Sequence, residues 1–404
     1  MRNSCWRLLA KRVGFYSEVK DTPMDHVKRT PMYRFLVVLT IASMGGLQGW
    51  QTLFNNFAVE IAGLEGHHVG VIQSVREIPG FLALLAVFVM MVVKEHRLSA
   101  LSILVLGLGL GATGFFPTYA GLTATTLAMS FGFHYYETTN QSLTLQYFDQ
   151  DASPWVFGKL RSVAAAASIG VGLLIFVLSS LLSYRQIYGF LGAVIVIVAL
   201  WGLAQDPTDK TLVPQHKKMV FRKKYWLFYS LTFMGGARRQ IFMAFAVFLL
   251  VKKFGFSVQE VTGLFVINNA VNFFLSPLIG RAIIRFGERK VLSVEYTSLI
   301  AIFLAYATVE SRIVVGLLYI LDHIFFNCAM AIRTYFQKVG DYRDIAPSMA
   351  AGFTINHIAA VVLPAVGGFL WMIDYRIPFI AGAAMSIVSL ILVQCIRIPA
   401  VPPK

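Results

Sequence analysis

Acidic residues and cysteines are what this chain has least of. Only 20 Asp and Glu accompany 35 Lys and Arg among 404 residues, charged residues make up 14%, and there are 3 Cys. Cys5 lies in a basic N-terminal stretch, Cys328 and Cys395 in apolar runs, and no CxxC pair or disulfide framework follows from them. Charge this sparse, with 57% hydrophobic residues and a mean hydropathy of +0.67, excludes a soluble domain and indicates an integral membrane protein. The sequence also lacks a phosphate-binding glycine loop, an interpretable nucleophile–base motif and a soluble region large enough to hold one. An enzyme is therefore not expected, and neither is a cofactor. The formal net charge of +15 does not point to nucleic acid, because it lies between apolar segments.

Residues 1–33 carry Arg2, Arg7, Lys11, Arg12, Lys20, Lys28 and Arg29 without the apolar core of a signal peptide. They read as a basic cytoplasmic tail lying on anionic lipid, with a mitochondrial presequence as the alternative and Met24 or Met32 as alternative starts. From Arg34 onward the hydropathy predicts twelve spanning helices, at 34–59, 68–93, 98–117, 120–147, 156–182, 186–204, 225–251, 257–284, 290–309, 312–336, 346–373 and 377–396. The polar stretch 205–224 divides them into two six-helix bundles, 34–204 and 225–397, and 398–404 forms a C-terminal tail.

If the N-terminus is inside, the outside loops hold only Arg185, Lys252, Lys253, Arg312 and Arg376, and Arg76, Arg238 and Arg239 lie within spans. The rest of the 35 basic residues fall inside, which puts both termini in the cytoplasm and the protein, multi-pass, in the plasma membrane. Lys159 and Arg161 are read in this count as inside-positive anchors rather than as a cytoplasmic mouth.

The two bundles look like parallel copies. Met44-Gly45-Gly46 followed by Phe57-Ala58-Val59 recurs as Met234-Gly235-Gly236 followed by Phe245-Ala246-Val247. Helices 3, 6, 9 and 12 read as nearly bare of charge across their centres and are expected to face lipid only. The other eight would then enclose a shared polar interior.

The segment from Tyr225 to Val251 carries Arg238-Arg239 near its middle. Two arginines at the centre of the hydrocarbon cost roughly 5 to 7 kcal/mol on insertion scales, so they must face protein or water. Adjacent helical residues point about 100° apart, so one of the pair is expected to face a polar cavity and the other to be structural.

Between predicted helices 8 and 9 the chain reads Gly280-Arg281-Ala282-Ile283-Ile284-Arg285-Phe286-Gly287-Glu288-Arg289-Lys290. This resembles the loop signature of the major facilitator superfamily, Gly-x-x-x-Asp-Arg-x-Gly-Arg-Lys: Gly280, Arg285, Gly287, Arg289 and Lys290 match, and Ile284 replaces the acid. The first-half loop, Lys94-Glu95-His96-Arg97, barely matches. Pro364-Ala365-Val366-Gly367-Gly368 is similar to a segment that antiporters of this family carry in helix 5, here displaced to helix 11. The resemblance covers 34–397. It implies an all-α integral membrane fold of twelve transmembrane helices in two six-helix parallel repeats, a gating loop, and alternating access of a small-molecule substrate to a midplane site.

The residues that suit such a site can be read directly. Gln48, Gln51 and Asn55 share one face of helix 1 at i, i+3, i+7. Helix 2 carries Gln73, Arg76 and Glu77 before Pro79-Gly80, and the Arg–Glu pair either functions or neutralises charge on other helices. Helix 4 has His134 and Glu137, then Asn140 and Gln141, so a proton acceptor lies beside an acid. The His134–Glu137 spacing also suits a metal, but two further soft ligands are not evident and no metal site is expected. Helix 8 adds Asn268, Asn269 and Asn272, helix 10 Asp322, His323 and Asn327, and helix 11 Asn356 and His357.

Arg76, Arg238 and Arg239 set against Glu77, Glu137 and Asp322 give a balanced interior that turns positive on protonation. The expected function is secondary transport of a small anionic or zwitterionic solute, proton-coupled, by a monomer in the lipid bilayer. Glu77, His134, Glu137, Asp322 and His323 are the candidate proton carriers; Gln48, Gln51, Asn55, Arg76, Arg238, Arg239, Asn268, Asn356 and His357 are the candidate solute ligands. The alternatives are a proton-driven exporter of amphipathic or toxic compounds, favoured by aromatics such as Phe242, Tyr135 and Tyr136, and a non-transporting membrane sensor or assembly partner.

Overall fold

The computed structural model describes residues 22–64, 66–209, 211–212, 220–256 and 258–398. Most of the basic N-terminal tail, the middle of the 205–224 linker and residues 399–404 lie outside the described residues. Those described are helical with connecting turns and contain no strand.

A short helix, Thr22–Arg29, precedes twelve long ones. The first half comprises α1 (Pro31–Asn56, extended by a π-helical turn, Phe57–Ile61), α2 (Gly66–Phe81, running through a 3-10 turn, Leu82–Leu85, into Ala86–Val92), α3 (Glu95–Thr113), α4 (Tyr119–Tyr147), α5 (Ser153–Leu178) and α6 (Tyr184–Ala204). The second half comprises α7 (Trp226–Ile241, a π-helical turn Phe242–Ala246, then Val247–Lys252), α8 (Val258–Phe286), α9 (Glu288–Thr308), α10 (Arg312–Phe326, a 3-10 turn Asn327–Ala329, then Met330–Val339), α11 (Ile345–Ile373) and α12 (Arg376–Gln394). Among the described residues, eight helices are by themselves long and apolar enough to cross a membrane. α4 is not one of them, since polar residues such as Thr123, Thr125, Thr126, Ser130 and His134 are spread along it before the run Thr138 to Ser142.

Helix starts follow from local chemistry. Thr30, Thr118, Ser183 and Ser311 each accept a backbone N–H of the first turn of α1, α4, α6 and α10, and Gln186 completes a capping box at α6. Pro79 removes a donor inside α2, the 3-10 turn follows it, and the Leu84 N–H lies 2.8 Å from the hydroxyl oxygen of Thr354 on α11.

The internal repeat shows in the backbone. Phe57-Ala58-Val59 falls in the π-helical turn of α1, and Phe245-Ala246 in that of α7. Each turn lies downstream of the repeated Met-Gly-Gly. Two hydrophobic cores match the two halves, one within residues 27–199 and one centred on 220–396 that reaches across to Leu145 and Phe157.

α3 packs on α6 where Gly107, Gly111 and Gly192 let the backbones approach, and Phe303 of α9 packs against Gly382 of α12. α9 does not fit the expectation of a helix that faces lipid only. Its Glu295 is 1% exposed and lies 3.7 Å from Arg238 of α7, and Glu288 at its start is buried against Lys338 at 2.7 Å. A carboxylate can occur in an outer helix when its side chain turns inward to a cation.

The halves are tied together on the side where the linker runs. Gln337 of α10 donates to the Leu145 and Phe148 carbonyls at the end of α4, both at 2.8 Å, and accepts from Ser153 of α5 at 2.5 Å. Tyr342 donates to the Gln146 carbonyl, and Ser162 of α5 to the Phe273 carbonyl of α8. Gly158 lies directly against Ser276 and Pro277, and Gly280 against the Pro154 carbonyl, so α5 and α8 meet backbone to backbone. In the loop that followed the family signature, Gly287 takes a positive φ of 79°, which glycine adopts without strain. Arg289 donates to Gln394 of α12 within the same half, and Arg285 lies over the Phe286 ring.

Candidate functional site

Between the halves lies a cavity of about 1170 Å³. Its wall draws on α1, α2, α4 and α5 from the first half and α7, α10 and α11 from the second. Adjacent residues of α7 are divided by helical periodicity: Gly236 presses on the backbone of Asn356, which seats α7 against α11, while Gly235 and Arg239 open on the cavity. On α10, Phe326, Ala329 and Arg333 form an i, i+3, i+7 stripe along the wall.

The polar lining has three parts. The first is the ion pair Arg76–Glu77 of α2, 2.6 Å apart and each roughly a quarter exposed, with the Arg76 guanidinium 5.4 Å from the centre of the Trp50 ring. The Arg76 carbonyl accepts from Ser130 of α4.

The second part is a histidine pair. His134 of α4 and His357 of α11 meet edge to face with ring centres 5.1 Å apart, and the His357 ring fills the space left by Gly80. The His357 Nδ1–H donates to the Phe353 carbonyl at 2.8 Å, which leaves Nε2 as the acceptor of the neutral ring, and Nδ1 of buried His134 has no partner among the described residues. Ligand atoms of Glu77, His134 and His357 lie within 4.8 Å of one another. Only His134 of the His134–Glu137 pair belongs to this trio, and the other two potential ligands come from α2 and α11, but Arg76 and Arg239 stand beside the trio, and their charge disfavours a further cation there.

The third part is cationic. Glu137 faces Arg161, Arg239 and Arg333, which come from α5, α7 and α10. Arg161 donates to Asn327, and Asn327 in turn donates to Asn272 of α8 at 2.5 Å, so this chain of polar groups links the two halves at the floor of the cavity. The structure therefore corrects two readings. Arg161 is not an anchor in the headgroup region but part of the cavity wall, and the cavity is not charge-balanced: Arg76, Arg161, Arg239 and Arg333 stand against Glu77 and Glu137. Arg161, Arg333 and Glu295 each lie inside a predicted span, and that was the available signal. Counting the two arginines as flanking charge concealed it.

Arg76, Glu77, His134, Glu137, Arg239, Gln51, Asn356 and His357 all line the cavity, and Gln73 and Gln141 join them. Gln48, Asn55, Arg238, Asn268, Asp322 and His323 do not. Gln48 donates to Thr52 along α1, Asn55 is exposed elsewhere on α1, and Asn268 is buried on α8. Of the aromatics expected nearby, Phe242 stacks on Tyr319, Tyr136 is buried and bonded to Thr40 and the Leu36 carbonyl, and Tyr135 reaches towards the Leu82 carbonyl. The cavity is lined instead by Phe133, Phe228, Phe326 and Phe353.

Arg238 turns away from the cavity. It is 4% exposed, lies 4.2 Å over the Tyr296 ring and 3.7 Å from Glu295, and shares a void of about 10 Å³ with Asp322. Gly235, Arg239, Phe326 and Ala329 line both this void and the large cavity, so the Arg238–Glu295–Asp322 cluster is one layer of side chains behind the wall.

The sequence profile described as Major Facilitator Superfamily matches residues 40–344, most of the chain. The chain belongs to the major facilitator superfamily. Its fold is that of solved transporters of this superfamily. The human organic anion transporter MFSD10 (TETRAN) superposes with a TM-score of 0.72 at 11% identity, over 90% of this chain and 99% of that one. A bacterial homologue of the iron transporter ferroportin, in its outward-facing state, gives 0.73 at 12% over 90% and 98%. A single-residue variant of the E. coli fucose:proton symporter FucP gives 0.69 at 15% over 90% and 97%. A search of curated protein sequences finds no match. At these identities the likeness establishes the fold, that of multi-pass membrane proteins, and it is membership of the superfamily that points to transport rather than to catalysis.

Proposed function

We propose that the protein is a proton-coupled secondary transporter that carries a small anionic solute through the cavity by alternating access. The observation that carries this reading is Arg239, a mid-span arginine that opens on the cavity from α7 and has no hydrogen bond or ion pair among the described residues. A membrane-embedded guanidinium left free at the wall of a cavity large enough for a small solute is a ligand for an anion. The ties around Gln337 would close the linker side in one state and break in the other. By the positive-inside bias the linker side is cytoplasmic, which puts both termini in the cytoplasm and the protein, as a monomer, in the plasma membrane.

Glu137 and Asp322 are the proton carriers in this reading. Glu137 stands among the cavity arginines, and its proton would change the charge that the solute meets. Asp322 and Glu295 share one buried cation, Arg238, so a single proton on the acid pair balances that cluster.

The test is thermal stability and solute exchange of purified protein with carboxylates, phosphates, amino acids, sugars and hydrophobic cations at two pH values. A ligand that binds the folded state raises its midpoint. Anions should stabilise the wild type, and Arg239→Gln should lose both the stabilisation and exchange in proteoliposomes. Wild-type exchange by Arg239→Gln would sink the reading. Stabilisation by hydrophobic cations alone would favour the second reading, an exporter of amphipathic compounds, which the phenylalanines of the cavity wall support.

A further inference from the structure

The cavity is not only basic; three of its four arginines gather around one acid, Glu137. Arg161, Arg239 and Arg333 come from three helices and two halves, yet Glu137 is the one carboxylate that faces all of them. Arg161 and Arg239 lie 6.0 and 5.8 Å from the centre of the same ring, Phe326, and Arg333 lies 5.7 Å from that of Phe157. Aromatic faces support a guanidinium plane without taking up its N–H groups. Among the described residues, Arg239 and Arg333 make no hydrogen bond or ion pair, and Arg161 has one hydrogen bond, to Asn327. Arg76 differs, because Glu77 already neutralises it at 2.6 Å.

Three cations against one acid leave an excess of two positive charges in a space walled by helices. Low-dielectric walls focus such a field and select for opposite charge. A neutral or zwitterionic solute would leave the whole excess uncompensated, and a monoanion half of it. Planar guanidinium groups converging from different helices suit an acceptor with several oxygens close together.

We propose that the solute is a small dianion, with its two charges close together as in a phosphate monoester or a short dicarboxylate. Arg161, Arg239 and Arg333 hold it, and Glu137 is the internal counter-charge that limits how tightly. This rests on the anion reading above and narrows it. Gln51, Gln73 and Asn356 also line the cavity and offer hydrogen bonds to the body of the solute.

The test is calorimetric titration of the full chain in nanodiscs at pH 8 with matched pairs: succinate against its monomethyl ester, and phenyl phosphate against its methyl diester. One dianion should bind at least about tenfold more tightly than its singly charged partner, a difference of about 1.4 kcal/mol. The pair that shows this difference distinguishes dicarboxylate from phosphate. Arg333→Gln should bring the dianion down to the level of the monoanion, while Arg333→Lys keeps part of the preference. Glu137→Gln, which removes a negative charge from the same group, should tighten the dianion and so tests the proposal even if Arg333→Gln fails to fold. Equal binding of mono- and dianions, or a preference unmoved by both Arg333→Gln and Glu137→Gln, would overturn the dianion while leaving an anion transporter standing. If hydrophobic cations bind and no anion does, or if neither class binds at millimolar concentration, the anion reading falls and the dianion with it.

Discussion

Arg238 and Arg239 are neighbours in the chain with opposite surroundings. Arg239 opens on a cavity of about 1170 Å³ and has no hydrogen-bond or ion-pair partner among the described residues; Arg238, 4% exposed, is held by Glu295 and the face of Tyr296. The glycines just before them divide in the same way. Gly236 meets the backbone of Asn356, whereas a methyl on Gly235 would meet only Ile332, at 3.8 Å. One helical residue, a turn of about 100°, separates a group available to a solute from a group fixed in the fold. Identical residues side by side therefore need not share a role.

The largest effects should come from exchanging these roles. Arg239→Gln should abolish solute exchange in proteoliposomes while thermal unfolding stays close to wild type. Arg238→Met should do the reverse to the fold, leaving Glu295 without its cation and lowering stability by about 3–5 kcal/mol, measured by denaturation in detergent. The triple variant Arg238→Met/Glu295→Met/Asp322→Leu should recover much of that loss, because apolar side chains replace the cation together with both acids that share it, and no charge is stranded. If Arg238→Met is as stable as wild type, the contrast between the two arginines fails.

The glycine pair sharpens the comparison at a smaller scale. Gly236→Ala should cost about 1–3 kcal/mol, since the Asn356 backbone cannot move aside as a side chain would, and Gly235→Ala should be neutral or stabilise by a few tenths of a kcal/mol. Equal melting midpoints for the two would contradict the packing. A modest effect is expected at Gln337, whose two carbonyl bonds tie α10 to the end of α4. Gln337→Ala should cost about 1–2 kcal/mol in the state closed on the linker side, read as increased labelling of a cysteine placed at Ser276, which is buried on α8 against Gly158.

Much of the architecture was legible because it is local. Apolar length marks a span, and the Met-Gly-Gly repeat marks the two copies, whose downstream π-helical turns the structure then displays. The candidate site was legible in part. Arg76, Glu77, His134, Glu137, Arg239 and His357, picked as polar groups inside spans, do share one cavity. Arg161 and Arg333 were hidden by proximity to span ends, where basic residues are ordinary, and Glu295 by the reading of α9 as an outer helix. Asp322 and His323 were rightly seen as polar groups within a span, but the spacing of α10 could not say that Asp322 faces α7 and α9, and that His323 lies by Phe242 of α7, rather than lining the cavity.

By itself, then, the sequence determined that the chain crosses a membrane as two sets of six helices with charge buried between them. Hydrophobic length and loop charge are properties of consecutive residues, and partition into a bilayer reads them directly. Only the tertiary structure decided which arginine has a partner and where the positive excess gathers. Those outcomes depend on the rotation of α5, α7, α9 and α10 about their axes, which is set by close contacts such as Gly236 on Asn356 and Gly158 on Ser276, made between residues more than a hundred positions apart.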